Sequence, residues 1–272
     1  MIRGVDKVAT SQEFNGIIMY RRDYKERDLL VKILTDQIGK TMFMVKDAKK
    51  RGSRIGPGVL PNTHGRYAGS LNQTGMSFIN AVLDAEQYFT ISQDIFKNAY
   101  ATYILALLDS AYQDNQPLGH WFEIISNALT LIDEGADEQI IANIIEIQLL
   151  SAFGVQPEWR QCVVCGRNDL PFDYSMKYNG LICQQHFSMD LHRLHLDQKT
   201  IFFLRQFSVI KMDQINNINV SDVTKKNLRI VIDQIYDESV GLKLKSKKFI
   251  DEMDSWSDKL TLKPRTNIDK PE

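Results

Sequence analysis

The first 80 residues of the chain alternate short apolar runs with polar, turn-forming segments. Runs of four to eight residues bounded by turn residues are typical of β-strands. They lie at residues 16–20, 29–35, 41–45, 65–71 and 76–83. Five short strands in about 80 residues have the size of a small closed barrel, of which the OB-fold is one form. Periodicity alone does not separate an OB-fold from other small barrels.

From residue 83 onwards the apolar positions recur with the period of an α-helix. Such stripes lie at 100–111, 122–132 and 140–149, and two further helices are predicted at about 198–211 and 222–241. Pro117 suits a first helical position, Gly135 suits a helix end, and Asp137 can cap the helix that follows. We therefore predict a multidomain α+β protein, with a helical domain over residues 83–256 and a disordered polar tail over 257–272.

The charge of the chain is unevenly distributed. The 272 residues carry 33 Lys and Arg against 34 Asp and Glu, which gives a net charge of −1. Residues 1–70 hold 14 basic and 7 acidic residues (net +7), so the other 202 hold 19 and 27 (net −8). A basic N-terminal module favours a polyanionic partner. Solvated charges beside strands would give the same pattern.

All three cysteines of the chain fall within 22 residues, which scattered core cysteines would rarely do. Cys162 and Cys165 form one C-x2-C pair, and Cys183 and His186 form a second pair with the same spacing. Zinc takes four soft or borderline ligands in a tetrahedron, and each such turn can supply two of them. We therefore predict a structural Zn²⁺ site of the Cys3His kind.

Other interpretations of this cluster stay open. His192 or His195 could replace His186 as the fourth ligand. Buried free thiols are a second possibility, and a redox pair is a third, although no thioredoxin-like βαβ pattern surrounds the cysteines. If zinc is bound, we expect it to hold residues 158–190 in shape, because so small a segment has little core of its own.

Several classes of function lack their sequence signals. No run approaches the roughly 20 apolar residues of a membrane span, and residues 1–12 lack the apolar core of a signal peptide. We therefore expect a cytoplasmic protein. The Walker A, G-x-G-x-x-G, H-E-x-x-H, G-x-S-x-G and zinc-deaminase motifs are also absent. We expect no catalytic residues, and hence no enzyme.

Three segments carry a family resemblance. The first, at residues 16–30, reads GIIMYRRDYKERDLL and continues to Thr35 and Gly39-Lys40. The second, at 45–53, reads VKDAKKRGS, and the third, at 149–157, reads LLSAFGVQP and leads into CVVCG. In this order the segments resemble the RecO family of bacterial DNA repair proteins, over residues 10–240. One departure is Asp47, where the family commonly has glycine.

The resemblance implies an N-terminal OB-fold over residues 1–82, a helical C-terminal domain and no catalytic centre. It implies a recombination mediator that binds single- and double-stranded DNA without strong sequence preference and anneals complementary strands. The partners it implies are RecR and the single-stranded DNA-binding protein SSB, which RecA then replaces on the strand. The implied location is the cytoplasm, in association with the nucleoid.

An OB-fold binds single strands with a basic groove and with aromatic side chains on which bases stack. The candidate phosphate contacts are Arg21, Arg22, Lys40, Lys46, Lys49, Lys50, Arg51 and Arg54. The candidate stacking residues are Tyr20, Tyr24, Phe43 and Tyr67. We expect roughly half of these aromatic residues to fill the barrel core instead.

Two other classes of function remain open. One is a nucleic-acid-binding regulator that uses the zinc module for contact, although Arg167 and Lys177 are the only cations between Cys162 and His186. The other is a scaffold or adaptor whose helical domain binds SSB or a partner subunit. The basic residues that could hold an acidic peptide there are Lys225, Lys226, Arg229, Lys243, Lys245, Lys247 and Lys248.

Overall fold

A computed structural model describes residues 11–72, 75–215 and 218–261 of the chain. Five N-terminal strands close into a barrel in the order β1-β2-β3-β5-β4. They are β1 (Gln12–Tyr24), β2 (Asp28–Thr35), β3 (Gly39–Val45), β4 (Thr63–Ser70) and β5 (Ser77–Gln87). Neighbouring strands are antiparallel except β3 and β5, which pair in parallel. The barrel therefore has the strand number and closure of an OB-fold.

The barrel interior is filled because alternate residues of each strand point inward. The buried interior side chains include Phe14, Ile18, Leu29, Val31, Ile33, Phe43, Val45, Tyr67 and Ile79. Phe14 stacks on Phe43 and Tyr67, with ring centroids 5.2 and 5.8 Å apart. Phe43 and Tyr67 are completely buried, so neither can stack on a base. Tyr20 and Tyr24, in contrast, reach the surface.

Seven α-helices occur in the described part of the chain. They are α1 (Phe89–Gln93), α2 (Ile95–Ala111), α3 (Trp121–Asp133), α4 (Glu138–Leu149), α5 (Gln198–Phe207), α6 (Asp222–Ile235) and α7 (Lys245–Thr261). The predicted cap is present, since the backbone N–H of Ile140 donates to Asp137 Oδ1 at 3.0 Å. Gly135 follows α3 with a φ of +105°, as a helix-ending glycine should. The predicted fold class, a closed five-stranded barrel followed by a helical region, is confirmed.

Some predicted helix positions were wrong. Pro117 does not open a helix, because α3 begins four residues later, at Trp121. Helix α5 ends at Phe207, before the predicted residue 211. Helix α6 passes at Ile235 directly into a π-helical turn at Tyr236–Val240, so the helix predicted at about 222–241 is confirmed. Helix α7 was not predicted.

The region that follows the barrel, which we call the helical body, packs against the barrel. Ile17 and Met19 of β1 and Leu34 of β2 belong to the same buried cluster as the helices. Inside the body, the Arg229 guanidinium lies 2.6 Å from the buried carboxylate of Glu146. A buried charge needs such a partner, because desolvation is costly without one.

Strand β5 ends at Gln87, and the domain boundary after residue 82 stays a prediction. Helix α7 continues to Thr261, so residues 257–261 of the predicted tail are helical. The rest of that tail, 262–272, lies outside the described residues. None of the described helices has the length and apolar character needed to cross a bilayer.

Candidate metal centre and nucleic-acid interface

A short hairpin brings the three cysteines and His186 together. Its strands are β6 (Phe172–Ser175) and β7 (Gly180–Cys183), and Asn179 in the turn has a φ of +47°. Asparagine tolerates this left-handed conformation, and glycine next to it is typical of hairpin turns. Cys183 is the last residue of β7, and His186 lies in the 3-10 turn that follows. The predicted hairpin is present.

The C-x2-C turn is held against this hairpin by backbone hydrogen bonds. The N–H of Val163 donates to the carbonyl of Leu181 at 2.8 Å, and that of Gly166 donates to the carbonyl of Cys162 at 2.8 Å. Gly166 has a φ of +71°, which favours glycine. These contacts place Cys162 and Cys165 opposite the second pair of ligands.

The four ligand atoms fit a tetrahedral metal site. They all lie within 4.8 Å of one another. The Cys165 and Cys183 sulfurs are 3.8 Å apart, and His186 Nδ1 lies 3.7 Å from Cys162 Sγ. Two sulfurs bound at about 2.3 Å in a tetrahedron are about 3.8 Å apart. The donor set and its spacing are therefore compatible with a four-coordinate metal.

The backbone around the cluster favours a thiolate at Cys162. Burial alone would raise the pKa of this thiol, but backbone N–H groups of Cys165, Cys183 and Val164 lower it to about 6. One of these is the N–H of Cys183, which donates to Cys162 Sγ at 3.3 Å. Burial instead raises the pKa of Cys183 itself. A thiolate at Cys162 is the form that binds a metal.

The other two histidine candidates lie elsewhere. Among the described residues, the Cys–His cluster contains His186 and neither His192 nor His195. The backbone N–H of His192 donates to Asp190 at 3.0 Å, and that of His195 donates to Asp173 at 2.8 Å. These hydrogen bonds fix the segment after the 3-10 turn.

The structure separates the eight candidate phosphate contacts into two groups. Seven are exposed at the surface: Arg21, Arg22, Lys46, Lys49, Lys50, Arg51 and Arg54. The eighth, Lys40, is only 3% exposed and therefore cannot meet a phosphate in this structure. The prediction that Lys40 contacts DNA is wrong, because its ammonium group is paired with carboxylates within the protein.

Lys40 takes part in an ion cluster between the barrel and the body. Its Nζ lies 2.8 Å from Asp109 Oδ1 and 2.7 Å from Asp114 Oδ1. Lys32 is equally buried and contacts the same two carboxylates. A Cβ at Gly39 would lie 2.0 Å from the carbonyl oxygen of Gln116, so only glycine lets the loop after α2 approach this closely.

The ion cluster shifts the pKa of its members. Burial alone would lower the pKa of Lys40, but hydrogen bonds and charges from Asp109 and Asp114 raise it. Burial alone would raise the pKa of Asp114, but Lys32 and Lys40 hold it below its ordinary value. Sequence reasoning missed Lys32, although a lone cation within the apolar strand LLVKILT does indicate a buried partner.

Three of the exposed cations lie near one groove, which we call the loop groove. Its lining residues are Arg21, Asp23, Leu29, Ala48, Lys49, Lys50, Gly52, Ser53, Gly56, Pro57 and Leu60. Lys49 Nζ lies 3.1 Å from Asp23 Oδ2. The other four exposed cations, Arg22, Lys46, Arg51 and Arg54, are not among its lining residues.

The departure at Asp47 has a structural explanation. Asp47 has a φ of +51°, a left-handed conformation that glycine adopts freely and that aspartate tolerates better than most residues. Its backbone N–H donates to Asp28 Oδ1 at 2.9 Å. Aspartate therefore keeps the loop conformation that a glycine would allow.

Comparison with known proteins identifies the family to which the barrel and the helical body belong. Residues 10–88 match the family "Recombination protein O N terminal", and residues 92–248 match "Recombination protein O C terminal". The chain is 57% identical to "DNA repair protein RecO" of Limosilactobacillus reuteri over 244 residues, 90% of this chain and 94% of that protein. The chain therefore belongs to the RecO family of DNA repair proteins.

Two further relatives carry the same name. The RecO protein of Levilactobacillus brevis is 51% identical over 255 residues, which are 94% of this chain and 97% of the relative. That of Enterococcus faecalis is 45% identical over 258 residues, 95% of this chain and 98% of the relative. The likeness thus extends across both the barrel and the helical body.

Proposed function

We propose that this chain is a recombination mediator that binds single- and double-stranded DNA through its barrel and anneals complementary strands. The observation that carries the proposal is the group of seven exposed cations at the barrel surface of a RecO-family chain. Cations that meet phosphates rather than base edges bind DNA without sequence preference.

The mechanism needs no bond chemistry. Neutralising phosphates on two strands lowers their mutual repulsion, and holding both near one surface raises their local concentration. In the cell, the proposed partners are RecR and SSB, and the outcome is replacement of SSB by RecA on the strand. The proposed site of action is the cytoplasm, at the nucleoid.

We also propose that the Cys3His cluster holds a structural zinc ion. Cys162, Cys165, Cys183 and His186 would supply four protein ligands, which leaves no position for a catalytic water. When bound, zinc would supply four bonds that cross-link the C-x2-C turn to the hairpin. The chain's own contribution is the turn geometry and the lowered pKa of Cys162.

The two alternative functions have less support. A zinc module that contacts nucleic acid would need free cations, but Arg167 donates to Asp169 at 3.0 and 2.7 Å. For a scaffold, several of the basic residues in the helical body are already used in ion pairs. Those pairs include Lys225–Asp137, Arg229–Glu146, Lys247–Asp233 and Lys248–Glu252.

The test is strand annealing with two complementary oligonucleotides, naked or coated with SSB, followed by fluorescence without ATP. We expect this protein to accelerate annealing of both forms. Acceleration of naked strands alone would support DNA binding and contradict the SSB contact. No effect on either form, from folded and zinc-loaded protein, would refute the mediator proposal and favour the scaffold.

A further inference from the structure

The outer face of strands β2 and β3 is where OB-folds bind oligonucleotides. In this protein the helical body closes the part of that face that holds Lys32, Leu34 and Lys40, whereas Met42 and Met44 of β3 stay partly exposed. Leu34 packs into the core of the body, and Lys32 and Lys40 are each 3% exposed beside Asp109 and Asp114. A DNA strand could reach Lys32 and Lys40, the cations of this face, only if the barrel separated from the body.

Separation would be unfavourable for two reasons. Ile17, Met19 and Leu34 would lose their apolar contacts with the body, and burial of apolar surface is the main stabilising term in folding. A phosphate on this face would also compete with two carboxylates that already neutralise Lys32 and Lys40. The β2–β3 face therefore has little net charge to offer a strand.

The loop groove differs from that face in both respects. It is open, and Arg21, Lys49 and Lys50 face only the carboxylate of Asp23 within its lining. Its other lining residues carry no charge; they include Gly52, Ser53, Gly56, Pro57 and Leu60. An open groove with three cations and one carboxylate suits a sugar-phosphate chain, because it offers net positive charge to the phosphates.

We infer, on the basis of the proposed function, that a single DNA strand lies in the loop groove at the barrel surface and not across the β2–β3 face. Arg21, Lys49 and Lys50 contact its phosphates. Asp23 competes with the strand, because its carboxylate forms an ion pair with Lys49 in the free protein. A bound phosphate displaces Asp23 from Lys49.

The first experiment measures the affinity for fluorescein-labelled oligothymidine at several salt concentrations. Changing Arg21, Lys49 and Lys50 together to Gln should flatten the slope of log K against log salt by about 2, at about 0.7 for each phosphate contact. The matched control changes three exposed cations of the body to Gln: Arg160, Lys199 and Lys211. The control should keep the wild-type slope, although it removes the same charge.

Two single substitutions separate the two faces. Asp23→Asn should tighten binding several-fold, because it removes the competitor from the loop groove. Asp114→Asn should leave binding unchanged, since Asp109 still lies 2.8 Å from Lys40 and 3.6 Å from Lys32. Tighter binding by Asp114→Asn, with no effect of the groove substitutions, would place the strand on the β2–β3 face and overturn the inference.

A second measurement uses the wild-type protein, so it does not require that any variant folds. Surface lysines are acetylated with and without oligothymidine, and the modified positions are read by mass spectrometry. We expect the oligonucleotide to protect Lys49 and Lys50, and Lys32 and Lys40 to stay unmodified in both samples. Modification of Lys32 or Lys40 that the oligonucleotide suppresses would contradict the inference.

The two levels of failure are distinguishable. If the folded wild-type protein does not bind oligothymidine, the proposed function itself fails, and the inference fails with it. If the wild-type protein binds and the triple groove variant binds with the same affinity and salt slope, only the inference is refuted.

Discussion

Replacing Lys40 by methionine would remove one of the two buried cations that join the barrel to the helical body. Its Nζ lies 2.8 Å from Asp109 and 2.7 Å from Asp114, so both carboxylates lose a charged hydrogen bond. Methionine is unbranched and apolar and can occupy most of the lysine's space. Lys32 would then be left as the only cation of the cluster.

The expected loss of stability can be bounded from the exposure of the partners. Removing one member of a buried ion pair costs about 3–5 kcal/mol, whereas an exposed pair contributes about 0–1 kcal/mol. Lys40 is buried, but 26% of the Asp109 side chain and 46% of the Asp114 side chain are exposed. Because water screens both carboxylates, we expect the free energy of unfolding to fall by about 2 kcal/mol.

The pKa shifts set the pH range of this effect. The pKa of Asp114 is lowered in the folded protein, so its contribution is complete above its unfolded pKa of about 3.9 and is lost as pH falls through the folded value. The pKa of Lys40 is raised, so its contribution is complete below about pH 10 and is lost above the folded value. The difference between wild type and Lys40→Met should therefore be constant near neutral pH and shrink below about pH 4.

Urea unfolding followed by circular dichroism, at pH 7 and pH 3.5, measures this difference. Lys46→Met is the control, because Lys46 follows the same strand but is exposed, and its substitution should change stability little. Equal stability of Lys40→Met and wild type at pH 7 would refute the reasoning. A flattened salt dependence of DNA binding in a stable Lys40→Met variant would also refute it, because Lys40 would then be a phosphate contact.

Two further predictions concern the Cys3His cluster and the loop that follows β3. Cys162→Ser should lose bound zinc and melt at a lower temperature, because only three ligands remain. Zinc analysis and thermal unfolding measure the two effects. A metal-free variant as stable as the wild type would contradict the structural role. Asp47→Gly should change stability by less than about 0.5 kcal/mol, whereas Asp47→Val should cost about 1–2 kcal/mol at a φ of +51°. Equal urea midpoints for the two Asp47 variants would argue against backbone strain at this position.

Local patterns predicted the features that depend on local geometry. The strands followed from alternating apolar runs, and the Asp137 cap followed from an acceptor placed three residues before the backbone N–H of Ile140. The Cys3His cluster followed from two residue pairs with equal spacing, because each tight turn brings its own two side chains together. The hairpin between them is indicated by the dipeptide Asn179-Gly180, which is typical of tight hairpin turns.

Features that depend on distant residues were not predictable in this way. Lys40 looked like part of a basic run, and its burial depends on Asp109 and Asp114, which lie about 70 residues further along the chain. Which aromatic residues fill the barrel likewise depends on strand register: Phe43 points inward, whereas Tyr20 points outward. Local sequence can indicate that a side chain is buried, but it does not identify the distant residue that the side chain contacts.

Helix α7 was missed for a different reason. Its first nine residues, 245–253, contain only three large apolar residues among several lysines and acids. Of these, Ile250 and Met253 are buried in the core of the body, whereas Phe249 is 39% exposed. A helix that contributes so narrow an apolar stripe has a weak periodic signal, although tertiary packing is sufficient to hold it.

The buried ion cluster also changes how the net charge of −1 relates to the proposed DNA binding. With Lys32 and Lys40 paired to Asp109 and Asp114, residues 1–70 keep a net charge of +5 and the other 202 residues keep −6. At physiological salt, charges act over about 8 Å, so a strand responds to the local surface rather than to the total charge. Three of the remaining cations, Arg21, Lys49 and Lys50, line the loop groove, and we expect the acidic body to repel a strand elsewhere. A nearly neutral chain can therefore bind a polyanion at one place, because its opposite charges are separated in space and are not averaged.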